Sequence, residues 1–518
     1  MPHHPNILFL FSDQHNARCL GCAGHPDVKT PNLDRLAAEG MRFERAFAQN
    51  PICTPSRLCF LSGLYAHNHG YYGLEGPNPA WLPSAFSLLK SHGYHTGAIG
   101  KIHTPAGWIE PHCDCVRDVY DGNRDYQKYL EALGLADKRD DEALAEWRKI
   151  SPRGQGVDAR ASTMPLEHSP ERYCSDEAIR FIRQRPADKP FFLWLTLPRP
   201  HECYTPSREF WDMYDEQTLT LPPSADDPLT DKPPHVREML HQRTPGAKMW
   251  LFEPRNWEQG RRRVLRGYLG CVTQADEALG RVLSTLRELG LERDTIVLYS
   301  ADHGDFAGEH GIIEKAPGLS YDAVTRIPFL WRWTGQLKAG RVTKQLVESI
   351  DVFPTLCQLI GLPAPAMCDG RDLRPLLTGG DTTVRDAAFT ETPWGKVIRT
   401  ADWKLVHFPG QMFPEFQKPG FSQKPGFSAE VGELYDMAND PWELRNLYHD
   451  PARRDQREQL TRQLLDWLVT STHTMTVLPS RSPQTGEEVP PEKLLAEDGR
   501  LHPTAMRYLA ERRSCAYL

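Results

Sequence analysis

The chain has 518 residues, of which 40% are hydrophobic and 25% charged, with a formal net charge of -7. That length exceeds what one hydrophobic core usually serves, so a large domain with a smaller companion is expected. The mild negative charge excludes a general attraction to nucleic acid or anionic lipid, and an anionic substrate has to be drawn in by local cations.

Met1 to Pro5 lack the basic start and apolar core of a secretion signal, and the twelve cysteines follow no disulfide-like spacing, so a cytoplasmic location is expected. Residues 6–12 form an apolar run bounded by polar residues and read as a buried strand. Residues 30–40 read as a helix, with Thr30 able to cap, Pro31 at the first helical position and Gly40 as terminator. Further strands are predicted at 96–100, 191–196 and 295–300, the last one fed by a long amphipathic helix over 263–289. None of the apolar runs is long enough to cross a bilayer. This alternation predicts an α/β fold, a large mostly parallel sheet sandwiched by helices.

Polar residues follow each of these strands: Asp13 and Gln14, then Lys101 and His103, then His201, then Asp302 and His303. Ligands of open α/β sheets bind at the carboxyl ends of strands, so one edge of one sheet is the expected site. Residues 104–173 are polar and irregular and are expected to surround the site mouth, where substrate selection resides.

Near residue 385 the pattern changes to short alternating strands at 396–399 and 403–408. A loop carrying a duplicated hexapeptide follows, Gln417 to Ser422 and Gln423 to Ser428, and then a helix over 454–469. The expected division is a catalytic domain over 1–385 and a smaller unit over 386–478, an antiparallel sheet with a helix. Residues 479–518 would be a linker and tail, an oligomerisation arm that implies a homo-oligomer.

The most specific signal is Pro51-Ile52-Cys53-Thr54-Pro55-Ser56-Arg57 followed by Leu61-Ser62-Gly63. Four fixed residues at this spacing would arise by chance in about one in a thousand chains of this length. A lone cysteine is more often a buried structural thiol, and Asp302 alone could equally be a helix cap. Cys19 and Cys22 with Cys113 and Cys115 offer four thiols, but the second pair is too close for the usual zinc ribbon.

The Cys-x-Pro-Ser-Arg stretch resembles the signature of the formylglycine-dependent (type I) sulfatases, of the alkaline phosphatase-like superfamily. Further segments resemble that family in order along nearly the whole chain. They are Gly100-Lys101-Ile102-His103, Arg199-Pro200-His201, Asp302-His303-Gly304, Gly308-Glu309-His310-Gly311 with Lys315, and Glu433-Leu434-Tyr435-Asp436. The resemblance implies that Cys53 is oxidised to formylglycine by a maturation enzyme, and that the hydrate attacks the sulfur of a sulfate ester. Asp13, Gln14, Asp302 and His303, with position 53, would hold one divalent metal, Ca2+ by its oxygen-rich donors, with Mn2+ or Mg2+ as alternatives.

By the same resemblance, Arg57 and Lys101 would fix the nucleophile and Lys315 would hold sulfate oxygens. His201 would protonate the departing alcohol, and His103 would take the proton that lets sulfate leave. The substrate would be a small sulfate monoester, a sulfated sugar or an aryl sulfate. Two other readings stay open: a phosphonate monoester or phosphodiester hydrolase of the same superfamily, and a non-catalytic anion-binding protein with unmodified Cys53. Lys101 and His103 favour sulfate, because the phosphonate-cleaving relatives tend to lack that segment. His310 could bind substrate or make a structural hydrogen bond.

Overall fold

The computed structural model describes residues 4–473 apart from 75, 77–81, 121–123, 140–157, 238, 241–256, 316–317, 381, 393 and 409–430. The duplicated hexapeptide and the segment beyond Pro479 lie outside the described residues.

All eight residues of β1 (Asn6–Asp13) are buried. Ile7, Phe9 and Phe11 enter one apolar layer, and Leu8 and Leu10 enter the other. A strand that is apolar on both sides has to be covered on both, and helical crossovers between parallel strands supply that cover. Seven more strands complete its sheet: β2 (Met41–Phe47), β3 (His95–Gly100), β4 (Cys115–Asp118), β5 (Phe191–Pro200), β6 (Thr295–Ala301), β7 (Phe329–Arg332) and β8 (Arg341–Glu348). The order is β4-β3-β5-β1-β6-β7-β2-β8. Only β7 runs against its neighbours, and the other pairs are parallel.

The four strands expected from the sequence form the contiguous centre β3-β5-β1-β6. Both flanks went unrecognised, including β4, which lies in a stretch expected to be irregular. Its four residues are all half-buried, so no alternation marks them.

On the Leu8 and Leu10 side lie α1 (Pro31–Glu39), α3 (Pro170–Gln184) and α4 (Trp257–Glu288); on the other side α2 (Cys53–Ser62) inserts Leu58, Phe60 and Leu61. Thr30 does not cap α1 as expected: its hydroxyl accepts from the Gly21 N–H and donates to Asp34. The buried Asp276 of α4 instead accepts from the Asn32 and Leu33 N–H groups, so the first turn is satisfied from another helix.

A second sheet of four antiparallel strands follows, β9 (Ala387–Glu391), β10 (Lys396–Thr400), β11 (Trp403–His407) and β12 (Gly432–Asp436), in the order β12-β11-β10-β9. Its apolar face carries Ile398, Leu405 and Leu434, and α5 (Arg454–Ser471) packs Leu460, Leu464 and Trp467 onto it. Among the described residues no helix is long and apolar enough to cross a membrane.

Candidate active site

The carboxyl ends of β1, β3, β5 and β6 converge on the first turn of α2, which begins at Cys53. Close approach of β3 and β5 requires a glycine. Gly100 has φ 114°, and a Cβ there would lie 1.8 Å from the Thr196 carbonyl oxygen. The chain therefore turns tightly, the Lys101 N–H donates to that same oxygen at 2.8 Å, and the Lys101 side chain is left buried in the site. Gln14, His103 and Glu314 are non-glycine residues in the left-handed region, at φ 66°, 47° and 67°. Backbone held in sparsely populated conformations gathers where surrounding structure enforces a function.

Cys53 Sγ lies 3.3 Å from His303 Nε2 and 3.8 Å from Asp13 Oδ1. His303 Nδ1 is 2.9 Å from the Gly304 carbonyl, an acceptor only, so Nδ1 carries a hydrogen and Nε2 is the atom turned to the sulfur. Burial would push the Cys53 thiol up, but Lys315, Lys101 and His303 outweigh it and hold it well below its ordinary value. Whatever occupies this position is stabilised as an anion.

Arg57, one turn along α2, ties the two carboxylates together. Its Nη2 is 2.9 Å from Asp13 Oδ2 and 2.9 Å from Asp302 Oδ2. Lys101 Nζ reaches Asp13 Oδ2 at 2.6 Å. Burial and Cys53 would raise the Asp13 carboxyl, yet Lys101, His201 and Arg57 keep it well below the carboxylate range. One Asp13 oxygen is thus held by cations while the other faces Cys53.

Asp13, Cys53, Asp302 and His303 are fully buried, and one ligand atom from each lies within 4.8 Å of the others. Two carboxylates, one imidazole lone pair and a thiol-derived group at this spacing fit a single divalent cation. Cys19 and Cys113 instead join two different apolar clusters, Cys22 and Cys115 pack against a third, and among the described residues the four form no metal-capable group.

Gln14 sits beside this cluster with its amide orientation dictated by its neighbours. Nε2 donates to Asp305 at 2.6 Å and Glu202 at 3.2 Å, while Oε1 accepts from Lys315 Nζ at 2.5 Å. Lys315 Nζ also lies 3.0 Å from His201 Nε2. His103 reaches the Cys53 sulfur with its ring, and its carbonyl accepts from Thr54 Oγ1 at 3.1 Å. Every site residue expected from the sequence is therefore found at this one sheet edge. His310 is apart from it, paired with Asp227 at 2.7 Å and packed on Tyr321.

The sequence reading passed over Tyr120, Glu202, Asp305 and Glu314. Glu202 directly follows His201 and Glu314 directly precedes Lys315, so adjacency was the available signal. Tyr120 follows the unrecognised β4, and its ring lies 4.2 Å from Lys101 Nζ and 5.3 Å from the His103 ring. Beside Lys101 and His201 a cavity of about 100 Å³ is walled by Val119, Tyr120, Tyr126 and Met164.

A profile of the sulfatase family matches residues 5–362. The chain belongs to the sulfatase family. This sulfatase is 27% identical over 479 residues to an arylsulfatase of Clostridium perfringens, covering 89% of this chain and 94% of that protein. It is 28% identical over 513 residues to a multifunctional alkaline phosphatase superfamily protein of Trinickia caryophylli, covering 89% and 95%. In fold it is similar to the crystal structure of a phosphonate monoester hydrolase of Agrobacterium radiobacter, with a TM-score of 0.74, 24% identity and coverage of 90% and 96%. The protein is a hydrolase with a buried, metal-capable Asp, Cys, Asp and His cluster.

Proposed function

We propose that this sulfatase cleaves sulfate monoesters, and that Cys53 works only after a maturation enzyme has oxidised it to formylglycine. The observation that carries this reading is the setting of Cys53, which stands within the metal-capable cluster and is surrounded by Lys101, His103, His201 and Lys315. Asp13, Asp302 and His303 would hold a divalent cation, Ca2+ by the oxygen donors, with Gln14 joining if its amide oxygen is shared with Lys315. When present, the cation and the aldehyde hydrate supply an activated hydroxyl nucleophile and neutralise charge at sulfur.

The chain's own groups account for the remaining chemistry. Arg57 and Lys101 keep Asp13 ionised and fixed, and Lys315 offers donors to the sulfate oxygens. His201 gives the proton at Nε2 to the departing alcohol, and His103 takes the proton whose loss releases sulfate. The cavity beside Lys101 and His201 would take the alcohol, so selection rests on Tyr120, Tyr126 and Met164. A sulfated sugar or an aryl sulfate is the substrate class, and the division into units over 1–385 and 386–478 places this chemistry in the first.

Two measurements test the reading. Intact-mass analysis of the peptide containing Cys53, from a host with the maturing enzyme, should find the aldehyde, and an unmodified thiol in active protein would overturn the mechanism. Rates on 4-nitrophenyl sulfate, phenyl phosphonate and a phosphodiester compared side by side should favour sulfate. A faster phosphoryl reaction would instead favour the activity named for the structural neighbour.

A further inference from the structure

The residue after His201 has no part in the proposed chemistry, yet it makes the contacts that orient it. His201 Nδ1 lies 2.9 Å from the Glu202 carbonyl oxygen and 3.1 Å from Glu202 Oε2. Both partners are acceptors, so Nδ1 carries the hydrogen. The ring is thereby turned with Nε2 facing inward, 3.0 Å from Lys315 Nζ and 4.0 Å from Asp13 Oδ1. A histidine in a loop has two rotatable bonds and a ring that can flip, and a fixed acceptor on Nδ1 selects one orientation and one tautomer.

Glu202 is itself held in place. Its Oε2 accepts from Gln14 Nε2 at 3.2 Å, and its carboxylate accepts from the Glu314 carboxyl. Two carboxyls in contact cannot both be ionised, so one of them carries a proton. Glu314 takes a left-handed backbone, φ 67°, which turns its carboxyl toward Glu202 while Lys315 points to the site. A carboxylate that accepts from the Gln14 amide and lies 3.1 Å from the His201 ring nitrogen is held in place beside the ring.

We propose that Glu202 is a positioning residue for catalysis, aiming His201 Nε2 at the oxygen of the departing alcohol. This rests on the reading of His201 as general acid. In the step concerned, the bond between sulfur and the alcohol oxygen breaks with its electron pair going to oxygen. The sulfuryl group passes to the nucleophile at position 53; His201 enters the step as the imidazolium, with Lys315 donating to the sulfate oxygens instead of to Nε2, and its Nε2 proton forms the new O–H bond. The ring is left neutral, with Nδ1–H still on Glu202. A poorly acidic alcohol needs that proton, whereas a nitrophenolate leaves without it.

The matured full-length enzyme can be assayed on an alkyl or sugar sulfate and on 4-nitrophenyl sulfate, with melting temperatures recorded for each variant. For Glu202→Gln, kcat/KM on the alkyl substrate should fall about 10- to 100-fold, the range for groups that orient a reacting ligand. On the nitrophenyl substrate it should stay within about 3-fold, because proton donation contributes little there. Glu202→Asp, which keeps the carboxylate, should recover much of the alkyl activity. Should the glutamine variant fail to fold, Glu202→Ala decides: a loss confined to the alkyl substrate supports the proposal, and equal or absent losses overturn it. Equal losses on both substrates in Glu202→Gln, or none, overturn it in the same way. His201→Ala separates the two layers. If it loses both activities alike, the general-acid reading falls and the role of Glu202 with it. If it is selective while Glu202→Gln is not, only the role of Glu202 falls.

Discussion

Two buried charge networks in this molecule use the same side-chain types to opposite ends. One is the site around Cys53, and the other joins the large sheet to the small one. At the junction Lys404 Nζ meets Asp322 at 3.1 Å and Glu443 at 2.6 Å, and Arg399 lies 3.5 Å from Asp322. Arg18 pairs with Glu309 at 3.0 Å, donates to the Pro441 carbonyl and lies over the Trp442 ring. These groups hold the two sheets together. Around Cys53 the backbone is held in left-handed conformations, one Asp13 oxygen is turned to an anion position, and the cations Lys101 and Lys315 converge on it. Pairing each charge with a neighbour yields a clamp, and leaving donors aimed at one point yields a receptor for charge that appears during reaction.

The most drastic way to break the comparison is at position 53. Cys53→Ala should lower kcat/KM by at least about 10³-fold, the scale of losing a nucleophile. Its melting temperature should stay within about 3 °C, because little packing volume is lost. A large fall in melting temperature would mean that Cys53 belongs to the scaffold after all.

The junction should respond in the opposite sense. Lys404→Met leaves Glu443 buried without its cation and Asp322 with Arg399 at 3.5 Å, and breaking a buried pair from one side costs about 3–5 kcal/mol. Denaturant unfolding should register that loss, while kcat/KM per folded molecule stays within about 3-fold. A selective loss of activity at unchanged stability would show that the junction steers the site loop through Glu309.

This contrast also marks what the sequence made legible. The central strands were readable because each is an apolar run ending in a chemical residue, as in 6–14 and 295–303. Site residues were readable where they form local motifs, Cys53 to Arg57 and Gly100 to His103. Glu202 and Glu314 were not, since each matters only through a neighbour brought in by folding. Edge strand β4 was not either, because its four half-buried residues carry no alternation, and β7 is a buried run of only four residues. The junction pairs Lys404 with Asp322 and Arg18 with Glu309 join residues 82 and 291 apart in the chain, and no local pattern announces them.

Metal removal probes the receptor side more gently. Dialysis against a chelator should abolish activity and lower the melting temperature, since a cation bound only to the native state stabilises it by about 3–4 kcal/mol at 100 to 1,000 times its Kd. Calcium should restore both. Restoration by zinc alone would argue for a softer donor set than two carboxylates and an imidazole.

Acidification acts elsewhere. His69, buried beside Cys59 and accepting the Tyr71 N–H on Nδ1, is held down to about 3 by burial. The unfolded chain takes up a proton near 6.5 and the folded one only near 3, so stability is full above 6.5 and falls as pH drops between those values. The slope from this one group is about 1.4 kcal/mol per pH unit. His69→Gln should flatten the measured stability profile over that window, and an unchanged slope would assign the proton uptake to other groups.

The smallest effect expected is at Tyr120, where the receptor meets solvent. Its ring caps Lys101 at 4.2 Å and adjoins His103, yet 42% of the residue is exposed. A cation and an aromatic face at a partly exposed position contribute about 0.5–1 kcal/mol. Tyr120→Leu keeps an apolar wall on the alcohol cavity but removes that face, so kcat/KM should fall about 2- to 5-fold, by the conversion of about 1.4 kcal/mol per tenfold. The loss should appear with small and large alcohols alike if the ring serves only Lys101. A loss that grows with the size of the alcohol would make Tyr120 a wall that reads the substrate, and the cation receptor and the alcohol cavity would then share one residue.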